Sequence, residues 1–94
     1  MNETNVTLRA PTAGDAEAVG EVVFRAFASI ADAHNFPRDF ASAEFAAGLM
    51  QGLIAHPKYW GVVAEVDGRV AACNFLDQRD EIGGVGPMCV HPEF

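Results

Sequence analysis

The stretch that decides the fold lies at residues 59–76 and has the sequence YWGVVAEVDGRVAACNFL. At its centre is Asp67-Gly68, a dipeptide that favours the two-residue type I′ turn of β-hairpins. The residues on either side are mostly β-branched and apolar, as is typical of strands. The stretch therefore predicts a hairpin with strands at Tyr59–Val66 and Arg69–Leu76.

The tight turn also fixes how the two strands pair. Counted back from the turn, the opposite pairs are Val66 with Arg69, Ala64 with Ala71, Val62 with Cys73, and Trp60 with Phe75. Directly opposite side chains lie on the same face of a sheet. We therefore expect these residues to form one strongly apolar face and the other face to be mixed, with Asn74 across from Gly61.

Two helices are predicted before the hairpin. Over residues 13–33, apolar residues recur at the spacing of one helical face: Val19, Val22, Val23, Ala26, Phe27 and Ile30. A capping box of Thr12 and Asp15 is expected at the start of this helix. The second helix is predicted from about Ser42 to Ala55. Its expected apolar stripe consists of Phe45, Leu49, Leu53 and Ile54, with Met50 beside it.

One strand at each end completes the predicted order. Val6-Thr7-Leu8-Arg9 alternates apolar and polar residues, which indicates a short strand. Residues 82–90, IGGVGPMCV, form a strand whose glycine and proline content indicates a bulge or the close approach of a ligand. The predicted fold class is α+β, with a mixed, mainly antiparallel sheet and two N-terminal helices in the order β-α-α-β-β-β.

Composition narrows the class of protein. The 94 residues include 13 Asp and Glu against 6 Lys and Arg, a net charge of −7, and half of the residues are hydrophobic. The high share of hydrophobic residues excludes a disordered acidic tail. The negative charge makes binding to nucleic acid unfavourable, because the phosphates repel it. The length fits one small domain, 1–94, or part of a larger one. We find no signal-peptide pattern and no membrane-length apolar run, and expect no membrane partner and a cytoplasmic location.

Few residues indicate catalytic chemistry by spacing alone. The three histidines, His34, His56 and His91, have no partner at metal-ligand spacing, so no metal site is expected. Cys73 and Cys89 lie in apolar segments, as buried thiols of a reducing compartment do. The loop 34–40 either lines a ligand site or is a linker whose Phe36 and Phe40 plug into the core.

The ordered set of elements resembles the GCN5-related N-acetyltransferase (GNAT) family. The start, Val6–Thr12 followed by Gly14-Asp15-Ala16, looks like the family's first strand and helix. The hairpin Val62–Ala71 is similar to its second and third strands, and Gly86–Phe94 is similar to its fourth strand and the approach to the cofactor loop. The resemblance implies an acyl-CoA N-acyltransferase fold that moves acetyl from acetyl-CoA to an amine.

The resemblance also implies roles for individual residues. The backbone groups of Met88, Cys89 and Val90 match the segment that pairs with the pantetheine arm and orients the acetyl carbonyl. Phe36 and Asn74 match positions on the side of the acceptor, an amine-bearing small molecule or peptide. The catalytic base is left unassigned among Glu65, Glu81 and His91.

The chain departs from the family pattern at its last residue. In the family, the fourth strand leads into a Gln/Arg-x-x-Gly-x-Gly/Ala loop and a helix whose N-terminus holds the pyrophosphate. This chain stops at Phe94, where that loop would begin. The resemblance therefore implies the N-terminal half of an acetyltransferase domain, without the pyrophosphate loop and later elements and inactive alone.

Two consequences are expected from such an incomplete domain. The last strand would be an exposed sheet edge. Apolar surface would be covered by a homodimer partner or by a complementing second half. The alternative from a different class is a non-catalytic α+β module that dimerises or binds a partner through its open edge.

Overall fold

The computed structural model describes residues 5–94. Over these residues the elements are β1 (Val6–Arg9), a 3₁₀ turn (Ala13–Asp15), α1 (Ala16–Ala33), α2 (Ala43–Ala55), β2 (Tyr59–Val66), β3 (Arg69–Asp77) and β4 (Gly84–Val90). The predicted β-α-α-β-β-β order is confirmed. The strands form a sheet in the order β1-β2-β3-β4, and each pairing among the described residues is antiparallel. No helix in this part of the chain is long and apolar enough to cross a membrane.

The start of α1 is fixed by hydrogen bonds to Asp15. The backbone N–H of Thr12 donates to its carboxylate at 2.6 Å, and the predicted capping box is present. The Arg9 guanidinium donates two hydrogen bonds to the same carboxylate, at 2.7 and 2.9 Å, and a further one to Glu65 on β2. One arginine on β1 therefore ties the start of α1 to β2.

The core lies between the helices and one face of the sheet, here called the inner face. Its buried members are Val19, Val22, Val23, Met50, Val63, Cys73, Phe75 and Cys89. The apolar face predicted for α1 is confirmed at its first three positions. At its last position it is wrong, since Ile30 is 62% exposed and Ala28 and Ala31 are buried there instead.

The stripe predicted for α2 is also wrong in its first half. Phe45 and Leu49 are 55% and 47% exposed, whereas Ala46 and Met50 are buried. The cause is a close approach of the two helices. A Cβ built on Gly20 of α1 would lie 2.4 Å from the Cα of Ala47, so small residues of α2 face α1.

The hairpin forms at the predicted turn but not in the predicted register. Asp67 and Gly68 have φ values of +52° and +80°, as the type I′ turn requires, and Val66 pairs with Arg69. Beyond this, a β-bulge leaves Ala71 as one extra residue on β3. The pairs that follow are Ala64 with Ala72, Val63 with Cys73, Val62 with Asn74, Gly61 with Phe75, and Trp60 with Leu76.

This shift corrects the predicted faces. A slip of one residue turns every side chain of a strand to the opposite face. Ala71, Cys73 and Phe75 are buried as expected of an apolar face, but their neighbour on β2 is Val63 and not Val62, and Trp60 is 56% exposed.

The face of the sheet that points away from the helices is here called the outer face. Its rows of paired residues are Val6-Val66-Arg69, Leu8-Ala64-Ala72-Val90, Val62-Asn74-Met88 and Trp60-Leu76-Val85. Six of the large apolar side chains on it are more than half exposed, whereas Val63, Cys73, Phe75 and Cys89 on the inner face are buried. The sheet therefore separates a covered apolar layer from an uncovered one.

Asp15→Asn tests the network at the start of α1. The hydrogen bonds from Arg9 hold the pKa of Asp15 well below its usual range, so the carboxylate stabilises the fold at neutral pH. We expect the variant to lose about 1–2 kcal/mol of unfolding free energy at pH 7. The contribution is complete above the unfolded pKa of about 4 and is lost as the pH falls toward the lower folded pKa.

Urea unfolding between about pH 2 and pH 7 measures this difference. The gap between wild type and Asp15→Asn should close from about pH 4 downward. Asp39→Asn, at an exposed loop position, is the matched control and should give a small gap throughout. A gap for Asp15→Asn that does not narrow in acid would contradict the assignment.

Gly20→Ala and Gly48→Ala form a second matched pair. The added methyl group at Gly20 meets the backbone of Ala47, whereas at Gly48 nothing lies within 4 Å. We expect Gly20→Ala to destabilise the protein by about 1–3 kcal/mol through overpacking. Gly48→Ala should stabilise it by up to about 1 kcal/mol through helix propensity. Urea midpoints measure both, and equal shifts of the same sign would refute the close helix contact.

Candidate functional site

β4 carries the segment for which the sequence predicts a ligand site. Among the described strands its one neighbour is β3, so its other side is an open edge. The register between these strands shifts after Asn74↔Met88, and the next pair is Leu76↔Val85. Gly86-Pro87 thus lies opposite a single residue of β3, and the predicted bulge is confirmed. Gly86 has a φ of +140°, which favours glycine at this point.

The backbone of β4 presents alternate residues to the open edge. The His91 N–H donates to the Ala71 carbonyl at 2.8 Å. In an antiparallel ladder, residues that bond the neighbouring strand alternate with residues whose N–H and C=O point away from it. Cys89 therefore faces β3, and the N–H and C=O groups of Met88 and Val90 point to the open edge.

The three residues predicted to bind the cofactor thus differ in position. Met88 and Val90 have backbone groups at the edge and side chains that are 70% and 56% exposed on the outer face. Cys89 has its thiol in the core. Its part in a site is confined to holding the segment against β3, because neither its side chain nor its backbone groups reach the edge.

Asn74, predicted on the acceptor side, lies directly opposite Met88. Its Oδ1 is enclosed and has no hydrogen-bond partner within residues 5–94. Leaving a buried carbonyl oxygen unpaired costs about 1–3 kcal/mol. A ligand N–H reaching this oxygen would remove that cost, so the pair of Asn74 and Met88 is the polar centre of the candidate site.

Phe36, the other predicted acceptor-side residue, lies in the loop between the helices. It is 66% exposed and stacks on His34 with ring centroids 6.0 Å apart. Phe40 from the same loop packs edge-to-face on Phe27 and joins the core. The linker interpretation therefore holds for Phe40, and a ligand role for Phe36 stays a prediction.

The three groups considered as a base lie in different places. Glu65 is bonded to Arg9, and Glu81 is exposed in the connection before β4. His91 directly follows β4, is 8% exposed, and accepts a hydrogen bond at Nδ1 from the Glu93 N–H at 3.1 Å. That bond leaves the proton of the neutral ring on Nε2.

A groove of about 480 Å³ lies at the end of β4 beside His91. Three arginines line it, namely Arg25, Arg38 and Arg69, and each is paired with a carboxylate. The sequence did not indicate this groove, because its arginines come from three separate parts of the chain. Because each arginine is paired with a carboxylate, the groove carries no excess positive charge. It is therefore not a strong binding site for an anion.

The two cysteines oppose each other across β3 and β4, and both are 4% exposed. The hydrogen bond with the Cys89 sulfur, together with burial, raises the pKa of the Cys73 thiol. A protonated, enclosed thiol is a poor nucleophile. Residues 5–94 also contain no group of three or more His, Cys, Asp or Glu placed to hold a metal ion.

Comparisons with solved structures give the same architecture. A GNAT-family acetyltransferase from Streptococcus pneumoniae matches with a TM-score of 0.58 and 16% identity, over 96% of this chain and 57% of that one. A predicted acetyltransferase from Clostridium acetobutylicum, crystallised with acetyl-CoA, matches with a TM-score of 0.64 and 12% identity, over 95% and 62%. The chain has the fold of part of a GNAT domain. No protein-family model and no curated protein matches it.

The GNAT-like fold inferred from the order of the elements is thereby confirmed. The chain spans about three fifths of the length of these solved acetyltransferases. At 12–16% identity the likeness concerns the fold.

Thiol labelling tests the placement of the cysteines. We expect Cys73 and Cys89 to react with a thiol reagent at least about a hundredfold more slowly in the folded protein than in urea, because labelling requires opening of β4. Mass spectrometry counts the labels. An introduced cysteine, Ser29→Cys, at an exposed site is the control and should react at once. Rapid labelling of a native cysteine would place its thiol outside the core.

Proposed function

We propose that this chain forms the acetyl-CoA side of a GNAT-type N-acetyltransferase site that moves acetyl to an amine. The observation that carries the proposal is the bulged β4, whose Met88 and Val90 backbone groups point to an open edge. An edge of this kind pairs with an extended, amide-bearing chain as another strand would. The pantetheine arm of acetyl-CoA is such a chain.

The reaction is an acyl transfer from a thioester to a nitrogen. Acetyl-CoA supplies the activated acetyl group; the amine nitrogen forms the new bond to the carbonyl carbon, and the carbon–sulfur bond breaks. The edge N–H of Met88 or Val90 would hold the carbonyl oxygen, where negative charge develops. The bulge at Gly86-Pro87 supports this role because it ends regular pairing beside these donors.

The acceptor side is proposed on the outer face next to this edge. The unpartnered Oδ1 of Asn74 would accept a hydrogen bond from an amine or an amide N–H. The amine must lose a proton before attack. The base stays unassigned among Glu65, Glu81 and His91, because His91 is buried toward α1 and its Nδ1 already accepts a hydrogen bond from the Glu93 N–H. A contact between Phe36 and the acceptor remains a prediction.

Acetyl-CoA affinity is expected to be weak. The edge offers two hydrogen-bonding residues, and the balanced groove at the end of β4 offers little attraction for phosphates. The protein is proposed to act in the cytoplasm. Catalysis would then depend on further elements around the pyrophosphate, and the chain alone is expected to be inactive.

Val90→Pro tests the edge. The substitution removes the Val90 N–H, which points away from β3, so it spares the ladder. We expect it to weaken acetyl-CoA binding about tenfold, the worth of one hydrogen bond. Amide chemical-shift titration up to about 10 mM acetyl-CoA measures the affinity.

Val90→Ile keeps the N–H and is the matched control for this titration. In the wild type the Met88 and Val90 amides should shift, and free pantetheine should shift the same amides. An unchanged spectrum at the highest concentration, or equal binding by Val90→Pro and Val90→Ile, would contradict the proposed site.

The outer face favours a second candidate function, the non-catalytic module that dimerises. Its exposed apolar side chains include Leu8, Trp60 and Val85, which lie outside the candidate acetyl-CoA site. Binding of acetyl-CoA at the β4 edge does not require these three side chains.

A further inference from the structure

The outer face is an uncovered apolar surface to which all four strands of the sheet contribute. Six large side chains on it are more than half exposed: Val6, Leu8, Trp60, Val85, Met88 and Val90. They come from all four strands and share the rows of paired residues defined above. Scattered apolar residues are ordinary on a protein surface, but a contiguous set marks an interaction site.

Charge determines what can cover this face. The chain carries a net charge of −7, so two copies repel each other wherever their carboxylates meet. The rows of the outer face contain no carboxylate, and their one charged residue, Arg69, sits at a corner and is paired with Glu93 at 2.8 Å. The sheet carboxylates Glu65 and Asp77 lie on the inner side, bonded to Arg9 and Arg79.

The size of the face also suits a second copy. Strands lie about 4.8 Å apart and rise about 3.3 Å per residue, so this sheet is about 19 Å by 25 Å. Two such faces together bury on the order of 1,000 Å², the lower bound for a specific interface. Sheets pack face to face at about 10 Å with their side chains interdigitated.

We propose that the outer face is a homodimer interface, on which a second copy of this chain packs its own outer face about a two-fold axis. The interface is self-complementary, since the same rows meet from both copies. It leaves the backbone groups of the β4 edge unpaired but covers Asn74, so the dimer belongs with the second candidate function and excludes the acceptor site proposed above. Because apolar contact opposes charge repulsion, the dimer tightens as salt rises.

Trp60 reports on this interface directly, because it is the one tryptophan of the chain and is 56% exposed on the outer face. Sedimentation equilibrium and tryptophan emission are recorded on the same samples, from about 1 µM to about 1 mM protein. We expect the mass to rise from 10.0 kDa to twice that value. The emission should shift to shorter wavelength over the same concentrations.

Two pairs of variants locate the contact. Leu8→Glu and Val85→Glu place carboxylates at opposite ends of the outer face and should each weaken the dimer at least tenfold. Ile30→Glu, at a similarly exposed position on α1, should leave it unchanged. Phe45→Glu, at a similarly exposed position on α2, should also leave it unchanged. Circular dichroism selects the variants that retain the fold.

Three results would overturn the proposal. The first is a wild type that stays at 10.0 kDa with constant Trp60 emission at every concentration, which would leave the face to a different chain. The second is a dimer that survives both folded outer-face variants. The third is a dimer abolished by Ile30→Glu or Phe45→Glu, which would place the contact on the helices instead.

Discussion

Ala71 determines which side of the sheet is buried. Ala71 is an extra residue on β3 that has no pairing partner on β2. Its side chain is 2% exposed and lies on the side of the sheet that faces the helices. Because side chains alternate along a strand, this residue turns Val63 of β2 inward to meet Cys73. The core packs only in this register. Without the bulge, Val62 and Trp60 would face α1, and Val63 would lie outside.

The same residue orients the edge of the sheet. The Ala71 carbonyl accepts the His91 N–H, which fixes which residues of β4 bond β3. Met88 and Val90 are left with their backbone groups outward as a result. The β-bulge at Ala71 therefore determines which side chains are buried on the inner face, which are exposed on the outer face, and which backbone groups of β4 point to the open edge.

The elements were predictable from sequence because each has a local cause. Apolar residues recur every three or four positions in α1, Asp67-Gly68 dictates the turn, and the glycine and proline of 82–90 indicate the bulge in β4. The pairing beyond the turn was not predictable. Ala71 and Ala72 are identical side chains, so nothing local shows which of them is the extra residue.

The sequence predicted which segment forms the candidate site, but it did not predict which way the residues of that segment point. The resemblance to the GNAT family implied Met88, Cys89 and Val90 as the cofactor segment, whereas the inward turn of Cys89 depends on the register. Likewise, the burial of α2 could not be deduced from its large apolar residues. The contact at Gly20 selects Ala46 and Ala47 because only small side chains let the helices approach so closely.

The pairing of β1 with β2 has a consequence for how the chain is assembled. The Arg9–Glu65 bond spans 56 positions, whereas the hairpin closes across two residues. The conformational entropy lost on closing a loop grows with the length of the loop. Pairing of β1 with β2 therefore costs more entropy than any other pairing in the sheet. During synthesis β1 and both helices are made before β2, and β1 has no pairing surface until the hairpin emerges. The strand β1 is thus made before its pairing partner and joins the sheet only after the hairpin has formed.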